Sequence, residues 1–446
     1  MAGESRAVPN LDPARPLSAE VLVPGSKSLT NRALVLAALA GGRSELEGVL
    51  WSDDTLVCMR ALRQLGVPCA ADEERRLVVV EGARGGPPAP SGDIEVGMAG
   101  TAARFLPPWL ALGRGVYHVD GAPRMRQRPM GPLHEALRAQ GVRIDGGPAL
   151  PWTVHGAGGL AGGELRMGGG ETSQPASGML MAAPFARQDT HLVVETHRAA
   201  LPFVAMTAAV MESFGVPVRE RGAGRWLVPA GARYGPRRYR VEPDASAAAY
   251  FWALAALSGG RVRTPGIGPS RLQGDAGLLQ VLREMGCTVR NEDGAVVQGP
   301  PAGRIRHGSW DLSAMADQAI TVGVLGLFAD GPVRVGNVAH IRQHETDRIA
   351  AVVQELTRLG ARCEEHEDGF TVWPLDGPHH PATVQTFGDH RMAMGFGVAA
   401  TRLAGVRIAD PEVVSKTFPE FFAVLERALG AAPTDRGRTA DPDLDP

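Results

Sequence analysis

Aromatic residues and cysteines are scarce in this chain. Only 5% of its 446 residues are Phe, Trp or Tyr, and no Cys-x-x-Cys pair occurs among the cysteines. Few aromatic rings argue against stacking platforms for single-stranded nucleic acid. Scattered cysteines argue against a disulfide framework or a cysteine-based metal site. We therefore expect free thiols in a reducing compartment at Cys58, Cys69, Cys287 and Cys363.

The sequence also lacks a long apolar run and a strong net charge. No stretch is apolar enough to span a bilayer, and residues 1–15 have no apolar segment of the kind found in secretion signals. The formal net charge is −2, which argues against a general nucleic-acid surface. We expect a cytoplasmic protein that binds neither nucleic acid nor membrane, and in which local basic residues bind any anionic ligand.

A repeat organises the chain. An amphipathic helix pattern that ends in glycine, where a C-cap belongs, recurs six times, as in LLQVLREMGCTV and VVQELTRLGARC. The intervals between these glycines are 75, 74, 71, 74 and 70 residues. Six cycles predict six copies of one α/β unit, and the length of the chain predicts two domains. The glycines are Gly66, Gly141, Gly215, Gly286, Gly360 and Gly430.

A second sequence pattern recurs with nearly the same period as the first. Six small polar residues each open a segment rich in Ala, Gly, Leu and Met, which is typical of a buried helix, and we interpret each as an N-cap. Helix N-termini carry unpaired N–H groups and a partial positive charge. Six of them at one cleft would bind anions. The residues are Ser28, Thr101, Ser173, Ser246, Asp317 and Asp389.

Basic or polar side chains cluster near the first three of these predicted helix starts. The segment 25–32, GSKSLTNR, places Ser28 and Arg32 one helical turn apart, and it lacks the Walker A spacing. Arginines alternate in the segment 123–129, PRMRQRP, and a guanidinium is the preferred partner of a carboxylate or phosphate. The third segment, 172–175, is TSQP. Taken singly, each segment is more often an ordinary helix cap or a solvated edge than an anion site.

The second half of the chain carries a mixed cluster in the segments HETDR (344–348), GDHRMAM (388–394) and SKTFP (415–419). Metal binding is a rival interpretation of its histidines and carboxylates. However, the H-E-x-x-H spacing is absent, and interleaved Arg348, Arg391 and Lys416 would repel a cation. We therefore favour anion binding and expect no metal.

Together, PGSKSLTNR, AGTAARF, PRMRQRP, TSQ, HETDR, GDHRMAM and KTFP resemble the 5-enolpyruvylshikimate-3-phosphate synthase family of enolpyruvyl transferases, over residues 17–429. The resemblance implies a two-domain α/β fold of six βαβαββ repeats, three per domain, with buried helices whose N-termini face a central cleft. The implied domains are 26–240, and 17–25 with 241–430. We expect 1–16 and 431–446 to be disordered tails.

The resemblance also implies a reaction. The 5-hydroxyl of shikimate 3-phosphate adds to C2 of phosphoenolpyruvate (PEP) while C3 is protonated, and phosphate then leaves the tetrahedral intermediate, a step in aromatic amino acid biosynthesis. No cofactor is implied, glyphosate would compete with PEP, and we expect a monomer.

The family's functional residues carry over onto matching motif positions. Asp317 would be the base, Glu345 the acid, and Lys27 a further catalytic residue. PEP would be bound by Lys27, Gly100, Arg128, Gln174, Arg348, Arg391 and Lys416. Shikimate 3-phosphate would be bound by Lys27, Ser28, Arg32, Thr172, Ser173, Gln174, Asp317 and His344.

The chain departs from the family pattern at several positions. His344 stands where Lys is common, and a histidine there can be neutral at pH 7. Met98 replaces a common Asn. Ala200 and Phe203 replace hydroxyl residues of a phosphate-binding loop, for which nearby His197 and Arg198 are candidate substitutes.

Two alternatives stay open. The UDP-N-acetylglucosamine enolpyruvyl transferases share the fold and donor, but they usually carry a reactive Cys in a loop that here, near Arg124 to Arg128, has none. A non-catalytic anion-binding protein of the same fold is the second alternative. Asp317 and Glu345, which proton transfer needs and anion binding does not, argue against it.

Overall fold

The computed structural model describes residues 4–12, 16–168, 173–195, 201–267 and 272–430. They divide into two compact units. The N-terminal unit is Gly25–Glu242, and the C-terminal unit combines the residues up to Pro24 with those from Pro243 onward.

The N-terminal unit contains three four-stranded sheets. In hydrogen-bonded order the first has β14 (Arg238–Arg240), β3 (Gly41–Glu47), β5 (Leu77–Ala83) and β4 (Cys69–Asp72). The second has β6 (Ser91–Glu95), β7 (Val116–Asp120), β9 (Trp152–His155) and β8 (Arg143–Asp145). The third has β10 (Gly163–Gly168), β11 (Thr190–Glu195), β13 (Arg225–Val228) and β12 (Arg219–Glu220).

The C-terminal unit contains two sheets of four strands and one of three among its described residues. The first has β2 (Ser18–Glu20), β15 (Arg261–Pro265), β17 (Gly294–Gln298) and β16 (Thr288–Asn291). The second has β18 (Gly308–Asp311), β19 (Val333–Gly336), β21 (Gly369–Val372) and β20 (Cys363–His366). The third has β22 (Thr383–Val384), β23 (Arg407–Ala409) and β1 (Ser5–Ala7). In all six sheets the first two strands named are parallel and the other pairs are antiparallel.

Two kinds of helix alternate along the chain. The buried helices are α1 (Lys27–Leu39), α3 (Gly100–Ala111), α5 (Gln174–Ala182), α7 (Ala245–Ser258), α9 (Ala319–Gly326) and α11 (His390–Ala400). The half-buried helices are α2 (Asp53–Gln64), α4 (Gly131–Ala139), α6 (Leu201–Ser213), α8 (Leu278–Glu284), α10 (Arg348–Arg358) and α12 (Phe421–Ala428). The run β6-α3-β7-α4-β8-β9 shows the βαβαββ order, so the predicted repeat is confirmed. No helix among the described residues is long and apolar enough to cross a membrane.

The first strands of two repeats are exchanged. Strand β2 precedes α1 in the chain but pairs with β15, which follows α7. Strand β14 precedes α7 but pairs with β3, which follows α1. The chain passes from one unit to the other at Gly25, where a Cβ would lie only 1.8 Å from the backbone oxygen of Gly48. Glycine is therefore required there.

The six repeat glycines end the half-buried helices as predicted. Each has a positive φ, between 77° and 101°. After the first five, the next residue donates its N–H to a carbonyl five residues back, as Val67 does to Leu62 at 2.9 Å. This pattern is the Schellman motif, which satisfies helix carbonyls that otherwise have no partner.

The predicted N-caps lie two residues too late in three repeats and one residue too early in a fourth, that of α9. Only Ser173 and Asp389 occupy the N-cap position. The second helical residue is Ser28 in α1, Thr101 in α3 and Ser246 in α7. Asp317 lies in the 3-10 turn Ser313–Gln318 before α9. These side chains still belong to or adjoin a first turn, which explains why their period matches that of the helices.

The predicted disorder of 1–16 is wrong for part of that segment. Strand β1 pairs antiparallel with β23. Arg6 forms an ion pair with Glu426 at 2.7 Å, and the Asn10 amide donates to the Ala400 carbonyl at 2.9 Å. Polar contacts thus hold this segment in place. The low hydrophobicity of its sequence gives no sign of them. The predicted tail 431–446 lies outside the described residues.

Gly141→Ala should destabilise the protein by about 1–2 kcal/mol, because only its left-handed conformation penalises a Cβ. Its φ is +85°, and a Cβ there would meet nothing within 4 Å. Gly147 is the matched control, since its Cβ would also meet nothing within 4 Å and its φ is not left-handed. Urea unfolding that gives Gly141→Ala and Gly147→Ala the same midpoint would contradict this.

Candidate active site

A buried guanidinium adjoins the start of α3 in the N-terminal unit. Arg128 is 9% exposed, and its Nε has no hydrogen-bond partner among the described residues. Among the described residues the guanidinium makes one hydrogen bond, to the Met125 sulfur at 3.8 Å. A Cβ on Gly100 would lie 2.6 Å from Arg128 Nη1. Arg128 and Gly100, both predicted to bind PEP, therefore lie close together, and this cation has no carboxylate partner among the described residues.

Arg104 joins the first turns of two helices beside that cation. Its Nη1 donates to the Gly100 carbonyl at 3.0 Å and to Gln174 Oε1 at 3.2 Å, while Nη2 donates to the Pro129 carbonyl at 2.9 Å. Gln174 in turn donates to Thr101 Oγ1 at 3.3 Å. The residue is 1% exposed, so it fixes the geometry around Arg128.

Arg32 is a second buried cation of this unit whose hydrogen bonds go to neutral groups. Its Nε donates to Thr207 Oγ1 at 2.7 Å and its Nη2 to Ser177 Oγ at 3.1 Å. The carbonyls of Ser28 and Phe203 accept the other bonds, at 2.9 and 3.1 Å. Burial lowers the pKa of Arg32 to about 9, so a bound anion would stabilise its charged form.

The remaining predicted residues of this unit have local partners or lie outside the description. Lys27 Nζ is 3.2 Å from Asp54 Oδ2, a carboxylate on α2. Ser173 is buried at the N-cap of α5, and its side chain makes no capping bond. Thr172 and Ala200 lie outside the described residues, whereas Phe203 contributes its carbonyl to Arg32.

In the C-terminal unit, Asp317 lies between two buried arginines. Its Oδ1 accepts from Arg348 Nη1 at 2.9 Å, and its Oδ2 accepts from Arg391 Nη2 at 2.6 Å. The Asp317 side chain is 26% exposed, compared with 2% for Arg348. The predicted base thus comes together with two of the predicted PEP-binding cations.

Arg348 contacts four polar side chains. Besides Asp317, its guanidinium donates to both carboxylate oxygens of Asp389, at 2.7 and 3.2 Å, and to Glu345 Oε2 at 2.9 Å. Its Nη1 also lies 3.0 Å from His344 Nδ1. Because arginine only donates, this nitrogen must be the acceptor, which places the proton of a neutral His344 on Nε2.

The charges of this second cluster balance. Lys416 Nζ lies 3.1 Å from Glu345 Oε1, so three cations face the three carboxylates of Asp317, Glu345 and Asp389. Burial alone would lower the pKa of Arg348, but Asp389, Glu345 and Asp317 outweigh it and raise that pKa above its usual value. Among the described residues, no group of three or more His, Cys, Asp or Glu side chains is arranged to hold a metal.

Four residues that lie near the predicted site residues were not themselves predicted as site residues. Arg104 and Asp389 were noted in motifs, but their roles come from tertiary contacts. Tyr250 accepts a 3.4 Å bond from Arg391, and Asp275 is buried on a 3-10 turn. A polar residue opening an apolar helix was the available signal for Asp389, whereas a lone Asp in a glycine-containing turn gave none for Asp275.

A family model described as EPSP synthase (3-phosphoshikimate 1-carboxyvinyltransferase) matches residues 11–425. The chain belongs to this family. Curated 3-phosphoshikimate 1-carboxyvinyltransferases are similar to it along nearly their whole length. The protein from Trichormus variabilis is 43% identical over 95% of this chain and 99% of that relative, and the chloroplastic protein from Arabidopsis thaliana is 40% identical over 94% and 84%.

Solved structures share the fold of this EPSP synthase family member. EPSP synthase from Acinetobacter baumannii has a TM-score of 0.80 at 24% identity and covers 96% of this chain and 98% of its own. The enolpyruvyl transferase NikO from Streptomyces tendae has a TM-score of 0.74 at 17% identity, with 95% and 96% covered. At these identities the likeness concerns the fold alone.

Asp389→Ala should cost about 3–5 kcal/mol of stability, since it leaves a buried arginine short of a charged partner. Asp347→Ala is the matched control. Both aspartates are N-caps, but the Asp347 side chain is 40% exposed, so its loss should cost about 1 kcal/mol. Equal urea midpoints for the two variants would show that the Arg348 network adds nothing beyond capping.

Proposed function

We propose that the two clusters together perform the enolpyruvyl transfer of the EPSP synthase family. In this reaction the enolpyruvyl group of PEP passes to the 5-hydroxyl of shikimate 3-phosphate, and phosphate is released. The observation that carries the proposal is Arg128, a buried guanidinium beside the first turn of α3 with no carboxylate partner among the described residues. Such a group is suited to a phosphate or carboxylate.

In the N-terminal unit, Arg128, Gly100, Gln174 and Lys27 are the proposed contacts to PEP. Arg32, Ser28, Ser173, Thr172 and again Lys27 and Gln174 are the proposed contacts to shikimate 3-phosphate. Two facts support this division. The polar neighbours of Arg32 are uncharged, so an arriving anion does not compete with a carboxylate there. In addition, N–H groups in a helix first turn favour phosphate.

In the C-terminal unit, Asp317 is the proposed base and Glu345 the proposed acid, with His344 toward the shikimate substrate. Arg348, Arg391 and Lys416 are the proposed cations for PEP. Each already contacts a carboxylate of the chain. We infer that an incoming anion exchanges with Asp317 and Glu345, which would release the base from its arginines at the time it is needed.

The family model and the curated relatives support shikimate 3-phosphate over a UDP-sugar as acceptor. The free cysteines support a cytoplasmic location, and we propose that the protein acts as a monomer. Phosphate release measured with PEP plus shikimate 3-phosphate, and then with PEP plus UDP-N-acetylglucosamine, tests the acceptor. Phosphate release from PEP with UDP-N-acetylglucosamine but not with shikimate 3-phosphate would refute the proposal.

Asp317→Asn should lower kcat by roughly 10²–10⁴-fold, because a positioned base contributes this much, while both KM values change only a few-fold. Asp330→Asn is the control, since Asp330 is exposed and bonds His307, and it should leave all three constants unchanged. Near-normal kcat in Asp317→Asn would remove Asp317 from the role of base.

Gly100→Ala should raise the ratio of the glyphosate inhibition constant to the PEP KM, roughly tenfold, an effect equivalent to about 1.4 kcal/mol. The added Cβ would lie 2.6 Å from Arg128 Nη1 and 3.0 Å from Arg104 Nη1, so the guanidinium must move, and the bulkier ligand has less room. The KM for shikimate 3-phosphate should stay constant. A lower melting temperature with an unchanged ratio would show that Gly100 serves only the backbone.

A further inference from the structure

A buried carboxyl group outside the proposed machinery adjoins the Asp317–Arg391 pair. Asp275 is 5% exposed and lies on the 3-10 turn Gly274–Gly277, ahead of α8. Its Oδ2 accepts a hydrogen bond from Ser246 Oγ, in the first turn of α7. Its Oδ1 is buried and has no hydrogen-bond partner among the described residues. Such a group needs an explanation, because an unsatisfied buried carboxylate is costly.

The turn that carries Asp275 packs on the turn that carries Asp317. A Cβ on Gly277 would lie 2.6 Å from Met315 Cε, which shows how closely the two turns approach. The charge of Asp275 interacts with Asp317 and Arg391, and with Asp244 at the N-cap of α7. Tyr250 of α7, one helical turn after Ser246, accepts a hydrogen bond from Arg391.

Arg391 is therefore surrounded by acceptors. Asp317 pairs with it at 2.6 Å, Tyr250 lies at 3.4 Å, and Asp275 contributes a further negative charge. Burial would lower the pKa of Arg391, but Asp317, Tyr250 and Asp275 raise it well above its usual value. The guanidinium thus stays charged although it is buried.

We propose that Asp275 is a further positioning residue of the reaction, whose buried negative charge stabilises the charged Arg391 and weakens the attraction of that arginine for an incoming anion. This inference rests on the proposed role of Arg391 in binding PEP. The Ser246 hydroxyl orients the carboxylate, and its second oxygen stays unpaired so that its charge acts on the Arg391–Asp317 pair. The same negative charge makes Asp317 a stronger base, because a nearby like charge favours the protonated form.

Removal of the negative charge of Asp275 should strengthen substrate binding and slow the chemical step. Arg391 should attract the anionic substrate more strongly, which lowers the KM for PEP. Asp317 should become a weaker base, which lowers kcat. Structural damage would instead raise KM and lower kcat, so a joint fall of both constants distinguishes the proposed role from a merely structural one.

The pH dependence follows from the ionisation of Asp275. Burial, followed by the charge of Asp317, raises the pKa of Asp275 to about 6, against the lowering effects of Arg391 and Ser246. The group is therefore ionised above pH 6 and neutral below it. Asparagine mimics the neutral form, so a difference between Asp275→Asn and the parent should be full at pH 7.5 and should vanish near pH 5.

The experiment measures kcat and the KM for PEP between pH 5 and 8 for the full-length parent and Asp275→Asn. We expect both constants to fall, roughly three- to tenfold, at pH 7.5, since one pKa unit corresponds to a tenfold change. Asp293→Asn is the matched control, because its side chain is 95% exposed in the same unit. Ser246→Ala, which keeps the carboxylate but removes its hydroxyl partner, should reproduce part of the effect and covers the case that Asp275→Asn fails to fold.

Unchanged constants at pH 7.5, a raised KM, or a difference that persists at pH 5 would each overturn the role of Asp275. Failure of the parent protein to release phosphate from PEP and shikimate 3-phosphate would instead overturn the proposed function. The two failures are therefore distinguishable.

Discussion

The C-terminal unit depends on the neutralisation of one buried arginine. A guanidinium that is almost inaccessible to water would be costly without charged partners, and Arg348 has three carboxylates around it. These carboxylates come from the turn before α9, the segment before α10 and the N-cap of α11, so one cation ties two consecutive repeats together. The geometry of the proposed base and acid is a consequence of that electrostatic requirement.

The two units solve the problem of buried cations differently. In the N-terminal unit, the polar partners of Arg32 are hydroxyls and carbonyls, and Arg128 contacts a sulfur. Neutral acceptors leave the charge uncompensated, which suits a ligand that brings its own negative charge. In the C-terminal unit, internal carboxylates compensate Arg348, Arg391 and Lys416 in advance. A ligand bound there would replace these carboxylates as the partner of the cations. In the N-terminal unit, a ligand would instead give Arg32 and Arg128 a negatively charged partner that they lack.

The sequence predicted best what local chemistry decides. A glycine such as Gly286 at the end of an amphipathic pattern has one favourable use, a left-handed C-cap, and the structure has it. The N-caps were less certain because Ser28 and Thr101 are compatible with either side of the helix start. The partners of Arg348 follow from contacts across up to 41 residues, which no local pattern encodes. Asp275 was missed for the same reason, since its importance arises only where two turns pack together.

The exchange of β2 and β14 between repeats bears on the order in which a growing chain can assemble. Ser18 must wait for Arg261, and Ser5 for Ala409. At about 5–20 residues per second, these delays are roughly 12–50 s and 20–80 s. The N-terminal unit contains all strands of its own sheets, β14 included, and can close before synthesis ends. Strands β1 and β2, in contrast, wait longest for their partners.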